Sequence, residues 1–243
     1  MDELTNSEYI RQRAEPRLGD PHYLILSDLL LAINALLPSH CSRVLDYGCG
    51  GSPYRSLFGA CTYHRADLAG GVSVDIEYDE DSRLPSQLSD YDCIFSSQVL
   101  EHVPMPALYL AECYRVLKPE GRLLLSTHGL FEDHACPYDY WRWTVFGLHK
   151  MVEDAGFTVK RILKVTTGPR AAVFLAEREL HRLRFRRCGV YGHVLNSIVR
   201  GIRFAGARRR HKVCDTTYPH HRIVDAGESG HDSYIVIALL AHR

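Results

Sequence analysis

The stretch Val44-Leu45-Asp46-Tyr47-Gly48-Cys49-Gly50-Gly51 decides the fold. A short apolar strand running into glycines lets the backbone turn sharply and approach a ligand with no Cβ in the way, and a helix following such a turn offers unpaired N–H groups. Taken alone, the pattern fits a plain tight turn as well as a nucleotide site. A second acidic strand end falls at Asp67, in Tyr63-His64-Arg65-Ala66-Asp67-Leu68, about 20 residues on, where a carboxylate can accept both hydroxyls of an adenosine ribose. NAD enzymes share this feature. A dinucleotide site, however, needs a third glycine to admit the pyrophosphate, and that position falls at or near Tyr54. Asp46, a carboxylate close to the turn, suits a cationic ligand better than an anionic one.

Outward from this stretch, short apolar runs alternate with helical stretches, the pattern of βαβ units. Strands are expected at Val44-Leu45, Tyr63 to Leu68, Val72 to Ile76, Tyr91 to Ser96, Arg122 to Ser126, Phe157 to Val165 and Tyr234 to Leu240. Helical spacing marks Leu24 to Leu37, Pro106 to Leu117 and Thr144 to Ala155. Roughly 65 residues separate the last two strands, against about 4 to 6 in an ordinary loop, so an insertion with its own structure is expected there.

Val44 to Gly51, then Ala66-Asp67-Leu68, then Tyr91 to Val103 (Y-D-C-I-F-S-S-Q-V-L-E-H-V), then Arg115 to Gly129 (R-V-L-K-P-E-G-R-L-L-L-S-T-H-G) resemble the successive motifs of class I S-adenosylmethionine-dependent methyltransferases, in the branch acting mostly on small molecules. The resemblance covers about residues 40 to 165. It implies a Rossmann-like α/β fold: seven strands, mostly parallel, with an antiparallel last strand and helices on both faces. The domain would comprise 41–165 and 233–243, with an N-terminal helical cap over 1–40 and a basic helical insertion over 166–232. It further implies that Asp46, Gly48 and Gly50 line the methionine half of S-adenosyl-L-methionine, that Asp67 holds the ribose, and that Asp81, in competition with Asp79 and Glu80, reaches the adenine. Ser97, Gln98 and His102 would stand near the methionine carboxylate and the transferred methyl.

Methyl transfer to a hydroxyl needs a positioned acceptor and one base near the carboxyl ends of the central strands. Candidates cluster between Ser126 and Thr144 (S-T-H-G-L-F-E-D-H-A-C-P-Y-D-Y-W-R-W-T), where titratable groups are interleaved with flat rings. His128 and Asp139 are the preferred catalytic residues, with His102 beside them; Asp139 and Arg142 could orient an acceptor or pair with each other. Trp141 and Trp143 fit a pocket wall or core equally well. The string around Asp139 also resembles some bacterial methyltransferases of sugar and cell-surface glycan pathways, so a small or lipid-linked, even saccharide, acceptor is expected, with O- or N-methylation open. No metal site is expected: the 14 histidines are scattered, and His220, His221, Asp225 and His231 lack a ligand spacing.

With 243 residues, 46% of them hydrophobic, the chain is sized for one sizeable domain. The 29 basic and 29 acidic residues cancel, yet residues 160 to 212 hold 15 Lys and Arg against Glu177 and Glu179 alone. Two apolar stripes lie in this segment: Val173, Ala176, Leu180 and Leu183, flanked by Arg178, Arg182, Arg184, Arg186 and Arg187, and Tyr191, Leu195, Ile198 and Ile202. Such helices over 171–212 could lie on an anionic membrane surface, or pack on the sheet or across a homodimer. RNA ranks third among these partners, since the insert carries few aromatics for stacking bases. The acidic N-terminus, with no apolar leader, and eight cysteines without a C-x-x-C pair point to a reduced, cytoplasmic protein, at most at the inner face of the membrane.

Overall fold

The computed structural model describes residues 3–70, 73–134, 138–183, 189–227 and 232–243. Its centre is one mixed sheet in the order β3-β2-β1-β4-β5-β8-β6-β7. The strands are β1 (Arg43–Tyr47), β2 (Thr62–Leu68), β3 (Ile76–Tyr78), β4 (Tyr91–Ser97), β5 (Leu117–His128), β6 (Thr158–Thr167), β7 (Ile223–Asp225) and β8 (Tyr234–His242). β1, β2, β3, β4 and β5 run parallel, and β8 lies antiparallel between β5 and β6. The three-residue β7, from the 166–232 segment, adds an antiparallel edge to the seven expected strands. Chain order reverses between β1 and β4. At such a point the two outgoing connections leave in opposite directions and open a crevice at the carboxyl ends of the strands.

Local chemistry moved three boundaries. The third strand is Ile76–Tyr78 rather than 72–76, because Asp75 clamps Arg65 (Oδ1 to Nη2 2.8 Å) and Ala66 pairs with Ile76; Val72 lies outside the described residues. The fifth strand starts directly from the helix end at Leu117, and its register on β4 jumps from Tyr91–Leu117 to Cys93–Arg122, so Lys118 to Gly121 form a bulged excursion. The α-helix expected after the glycine turn is a single 3₁₀ turn, Arg55–Phe58. Pro53 before it and Gly59 after it, at φ 58°, leave room for one turn only.

Helices cover both faces of the sheet. On one, α3 (Pro106–Val116) and α4 (Val145–Asp154) bury Tyr109, Leu110, Leu148 and Val152 against Leu45, Ile94, Leu123 and Leu125. On the other, α2 (Tyr23–Leu36) and α5 (Gly168–Arg182) bury Leu24, Leu29, Ile33 and Phe174 against Val44, Phe95, Leu124 and Val236. The core-facing side of α5 is Ala171 and Phe174; Ala176 of the expected stripe is exposed. α1 (Glu3–Ala14) precedes α2, and α6 (Gly189–Thr217) follows α5.

A buried ion network fastens α5 and α6 to α2. The Arg170 guanidinium, fully buried, donates from Nε and Nη2 to both oxygens of Asp28 (2.9 and 2.8 Å) and from Nη1 to Asp215 (3.0 Å). Arg222 Nε donates to Asp28 Oδ1 (2.8 Å), and Thr166 Oγ1 to Asp28 Oδ2 (3.0 Å). Burial pushes the Asp28 carboxyl up, and the two guanidinium groups oppose it. A second clasp joins Glu177 on α5 to Arg210 and His211 on α6. Among the described residues, no helix is long and apolar enough to cross a membrane.

Candidate functional site

The glycine turn and the end of β4 meet in the crevice. Gly48 sits at φ +79°, and a Cβ placed on it would come within 2.5 Å of the Val99 side chain. Any other residue at 48 would force the turn away from β4 or carry the strain of a positive φ. Gly50, at φ +51°, donates its N–H to Asp67 Oδ2 (2.7 Å), and Leu68 N donates to Asp67 Oδ1 (2.8 Å). Cys49 Sγ also donates to Oδ2 (3.7 Å), so the lone-pair direction left for a ligand hydroxyl is at Oδ1. Asp46 is buried and accepts the Tyr63 hydroxyl (2.7 Å); burial pushes its carboxyl up to about 7.

At the end of β4, Ser97 Oγ lies 3.1 Å from Ser126 Oγ, and Gln98 Nε2 donates to the same hydroxyl (3.1 Å). Gln98 holds the left-handed backbone region at φ 59°, and its buried Oε1 has no hydrogen-bond partner in the protein. Strain at a non-glycine residue combined with an unpaired buried acceptor is the mark of a ligand-facing position. A cradle closed to any Cβ, two carboxylates and this unpaired oxygen fit an adenosyl ligand with a cationic amino acid tail. Asp81 lies exposed in the turn after β3, beside the buried Ser82, whose carbonyl accepts the Tyr47 hydroxyl.

The other half of the site starts two residues past Val99, on the 3₁₀ turn Leu100–His102. Glu101 is fully buried. Its Oε2 accepts the Thr127 hydroxyl (2.8 Å), while Oε1 takes no well-directed hydrogen bond and faces His128 Nε2 at 3.2 Å and His102 Nε2 at 4.0 Å. Burial pushes the Glu101 carboxyl up to about 7. His128 ends β5 stacked on Phe131 (centroids 4.1 Å apart), and burial pushes its imidazole well below the ordinary range, so it stays neutral. His102 Nδ1–H donates to the Tyr138 carbonyl (2.6 Å). His134 packs edge-on to both rings, with centroids 4.9 Å from His102 and 4.8 Å from His128.

His102 and His128 thus come together, and Asp139 is occupied. The two Asp139 oxygens take both Arg142 terminal nitrogens (2.7 and 2.6 Å), and Oδ2 also accepts the His134 backbone N–H (2.9 Å). The guanidinium holds this carboxyl far below the usual carboxylate range. Asp139 is therefore a loop anchor rather than a free base. Trp143 is core, whereas Trp141 is part-exposed and donates Nε1–H to the Val103 carbonyl (2.9 Å). Cys136 of this loop lies outside the described residues.

Sequence reasoning missed Glu101 as a functional candidate. The available signal was a carboxylate between the buried Leu100 and Val103, directly after a buried strand. His134 stood among the titratable groups of the loop, but nothing in one dimension joined it to Glu101.

A mixed sheet with its order reversal over a glycine cradle and a ribose-type carboxylate defines an α/β adenosyl-cofactor protein. The sequence matches the family described as a methyltransferase domain over residues 13–161. The chain belongs to that family. Among curated proteins it is 36% identical over 112 residues to a ubiquinone biosynthesis O-methyltransferase of Xylella fastidiosa, an alignment covering 39% of this chain and 45% of that protein. It is 34% identical over 104 residues to the protein of the same name from Pseudomonas savastanoi, covering 35% and 44%. The chain thus spans less than half the length of these relatives. Two solved structures share the fold: an S-adenosylmethionine-dependent methyltransferase of Thermotoga maritima (TM-score 0.57, 14% identity, 98% of this chain and 95% of that one) and phosphoethanolamine N-methyltransferase 2 of Haemonchus contortus with S-adenosylmethionine (0.55, 16%, 99% and 56%).

Proposed function

We propose that this protein transfers the methyl group of S-adenosylmethionine to a hydroxyl oxygen of a small acceptor seated over the ends of β4 and β5. The observation that carries this reading is the continuity of the two half-sites. Val99 closes the glycine cradle, and two residues later Glu101 begins a cluster of groups able to take a proton. When bound, the cofactor supplies an activated methyl carbon. Asp67 receives the ribose hydroxyls, Asp46 balances the cationic end, and Gln98 Oε1 accepts from the amino acid tail. The Glu101, His102, His128 and His134 cluster receives the acceptor hydroxyl. As the new oxygen–carbon bond forms, the carbon–sulfur bond breaks, and the hydroxyl proton leaves to this cluster. The O-methyltransferase relatives support oxygen as the accepting atom.

Calorimetry with S-adenosylmethionine, followed by release of S-adenosylhomocysteine with a panel of hydroxylated acceptors, tests the proposal. No binding, or an affinity unchanged in Asp67→Ala, would sink it. Binding without turnover over the whole panel would leave a cofactor-binding protein only.

A lipid-linked acceptor is favoured by the surface of α6. Tyr191, Ile198 and Ile202 of the expected stripe are 82%, 54% and 49% exposed, with Arg200, Arg208 and Arg209 exposed on the same helix. An apolar row with cationic neighbours suits the surface of an anionic bilayer, at the inner face of the membrane. Other arginines are spent internally: Arg178 and Arg182 on Glu132, and Arg210 on Glu177. That weakens the case for RNA. Arg184, Arg186 and Arg187 lie outside the described residues.

A further inference from the structure

We infer that Glu101, His102 and His134 form a binding site for a divalent first-row transition metal, zinc or iron(II), with an open position facing the acceptor. One ligand atom from each of the three residues lies within 4.8 Å of the others. Donors around a tetrahedral zinc ion stand about 3.4 Å apart at ordinary bond lengths, so side-chain adjustments of about 1 Å close the set. Two histidines and one carboxylate leave room for a further ligand, the composition of catalytic zinc and non-haem iron sites.

Three features make this more than a chance grouping. Glu101 Oε1 is a fully buried carboxylate oxygen with no well-directed donor, and it points at imidazole nitrogens rather than at a lysine or arginine. A buried carboxyl oxygen left without a donor is costly unless a proton or a cation completes it. Next, His102 is turned by a partner of its own. His102 gives Nδ1–H to the Tyr138 carbonyl (2.6 Å), which leaves the Nε2 lone pair facing Glu101. Metal-binding histidines are held in this way, by a carbonyl or a carboxylate on the far nitrogen. Finally, the Asp139–Arg142 pair, bidentate and part-buried, holds the loop that delivers His134. His128, 3.2 Å from Glu101 Oε1, is placed to hydrogen-bond the liganding carboxylate or become a fourth ligand. Imidazole donors select against magnesium, a hard ion that takes oxygen ligands.

The use of the ion rests on the methyl-transfer reading. With the ion bound, the cluster would hold metal in place of the proton: the ion would lower the pKa of the acceptor hydroxyl, the proton would pass to solvent rather than to the cluster, and the alkoxide or phenolate would take the methyl carbon as its bond to sulfur breaks. The site itself does not depend on that reading.

The test uses the full chain, stripped with a chelator and titrated with Co²⁺ alone. The expected result is one equivalent bound, with the intense visible ligand-field absorption of a four- or five-coordinate nitrogen–oxygen site, displaced by Zn²⁺ and not by excess Mg²⁺. His102→Ala and His134→Ala should each weaken binding at least about tenfold, while His220→Ala, on the surface turn 219–221, should not. No absorption, the weak spectrum of a six-coordinate all-oxygen ion, or binding unchanged in both variants would overturn the site. If a variant does not fold, the wild-type spectrum decides alone. Co²⁺ binding at the cluster without S-adenosylhomocysteine release upholds the metal and defeats the methyl-transfer reading; full turnover by a stripped chain that gives no Co²⁺ absorption does the reverse.

Discussion

Two fully buried carboxylates, Asp28 and Glu101, sit in opposite electrostatic circumstances. Asp28 meets two guanidinium groups and two hydroxyls, and each of its oxygens is used. Glu101 meets one hydroxyl and two imidazole edges within 4.0 Å, and one of its oxygens accepts no well-directed hydrogen bond. The first arrangement is a rivet between α2, β6, α5 and α6. The second is a buried acid held in reserve, as binding and catalytic sites hold theirs. Burial alone therefore does not distinguish anchor from site; the partner set does.

Replacing the two acids should separate stability from activity. Glu101→Gln is expected to lower kcat by about 10²- to 10⁴-fold, with the unfolding free energy within about 1 kcal/mol of wild type. Steady-state kinetics with a denaturation curve checks both, and a large loss of stability with intact kcat would make Glu101 an anchor too. Asp28→Asn should do the opposite. It leaves buried guanidinium charge without its counter-ion, at about 3–5 kcal/mol of stability, while cofactor affinity below the melting transition is retained.

Asp139→Asn comes next, because Asp139 holds His134 in place. Activity should fall by about 10- to 100-fold. The Arg142 pair depresses the folded-state pKa of Asp139, so the stability it adds is present above about pH 4, the unfolded value, and disappears as pH falls through the depressed one. Acid denaturation of variant and wild type should thus converge at low pH; a constant gap would contradict the ion pair.

Asp46 sharpens the comparison from the cofactor side. Its carboxyl stands at about 7 in the free protein, and a cationic ligand favours the ionised form. Binding of S-adenosylmethionine below pH 7 should therefore release a proton, seen as a buffer-dependent calorimetric enthalpy. The release should fade above pH 8 and vanish in Asp46→Asn; its persistence in the variant would place the titrating group elsewhere. The smallest effect is expected at α6. Ile198→Ser with Ile202→Ser should reduce co-sedimentation with anionic liposomes severalfold, and equal recovery on neutral liposomes would break the electrostatic part of that proposal.

The cofactor half was legible because its parts are close in sequence and obey local rules. Gly48 and Gly50 are required by positive φ, and Asp67 follows from the strand that pairs with β1. Even there, the expected helix proved to be one 3₁₀ turn, because Pro53 and Gly59 bracket the connection. The acceptor half was legible only as a composition. His128 reads as a free base in one dimension and is a buried ring stacked on Phe131 in three. Asp139 reads the same way and is spent on Arg142.

By itself, the sequence determined the parallel sheet, the order of its strands' motifs and the placement of Asp67 on the strand beside the glycine turn, because strand periodicity, glycine sterics and strand-end placement act over a few residues. Tertiary structure alone decided that Glu101, after β4, would face His128 at the end of β5 and His134 from the loop beyond it. The physical reason is that β4 and β5 are hydrogen-bonded neighbours, while the Asp139–Arg142 pair folds the intervening loop back over them.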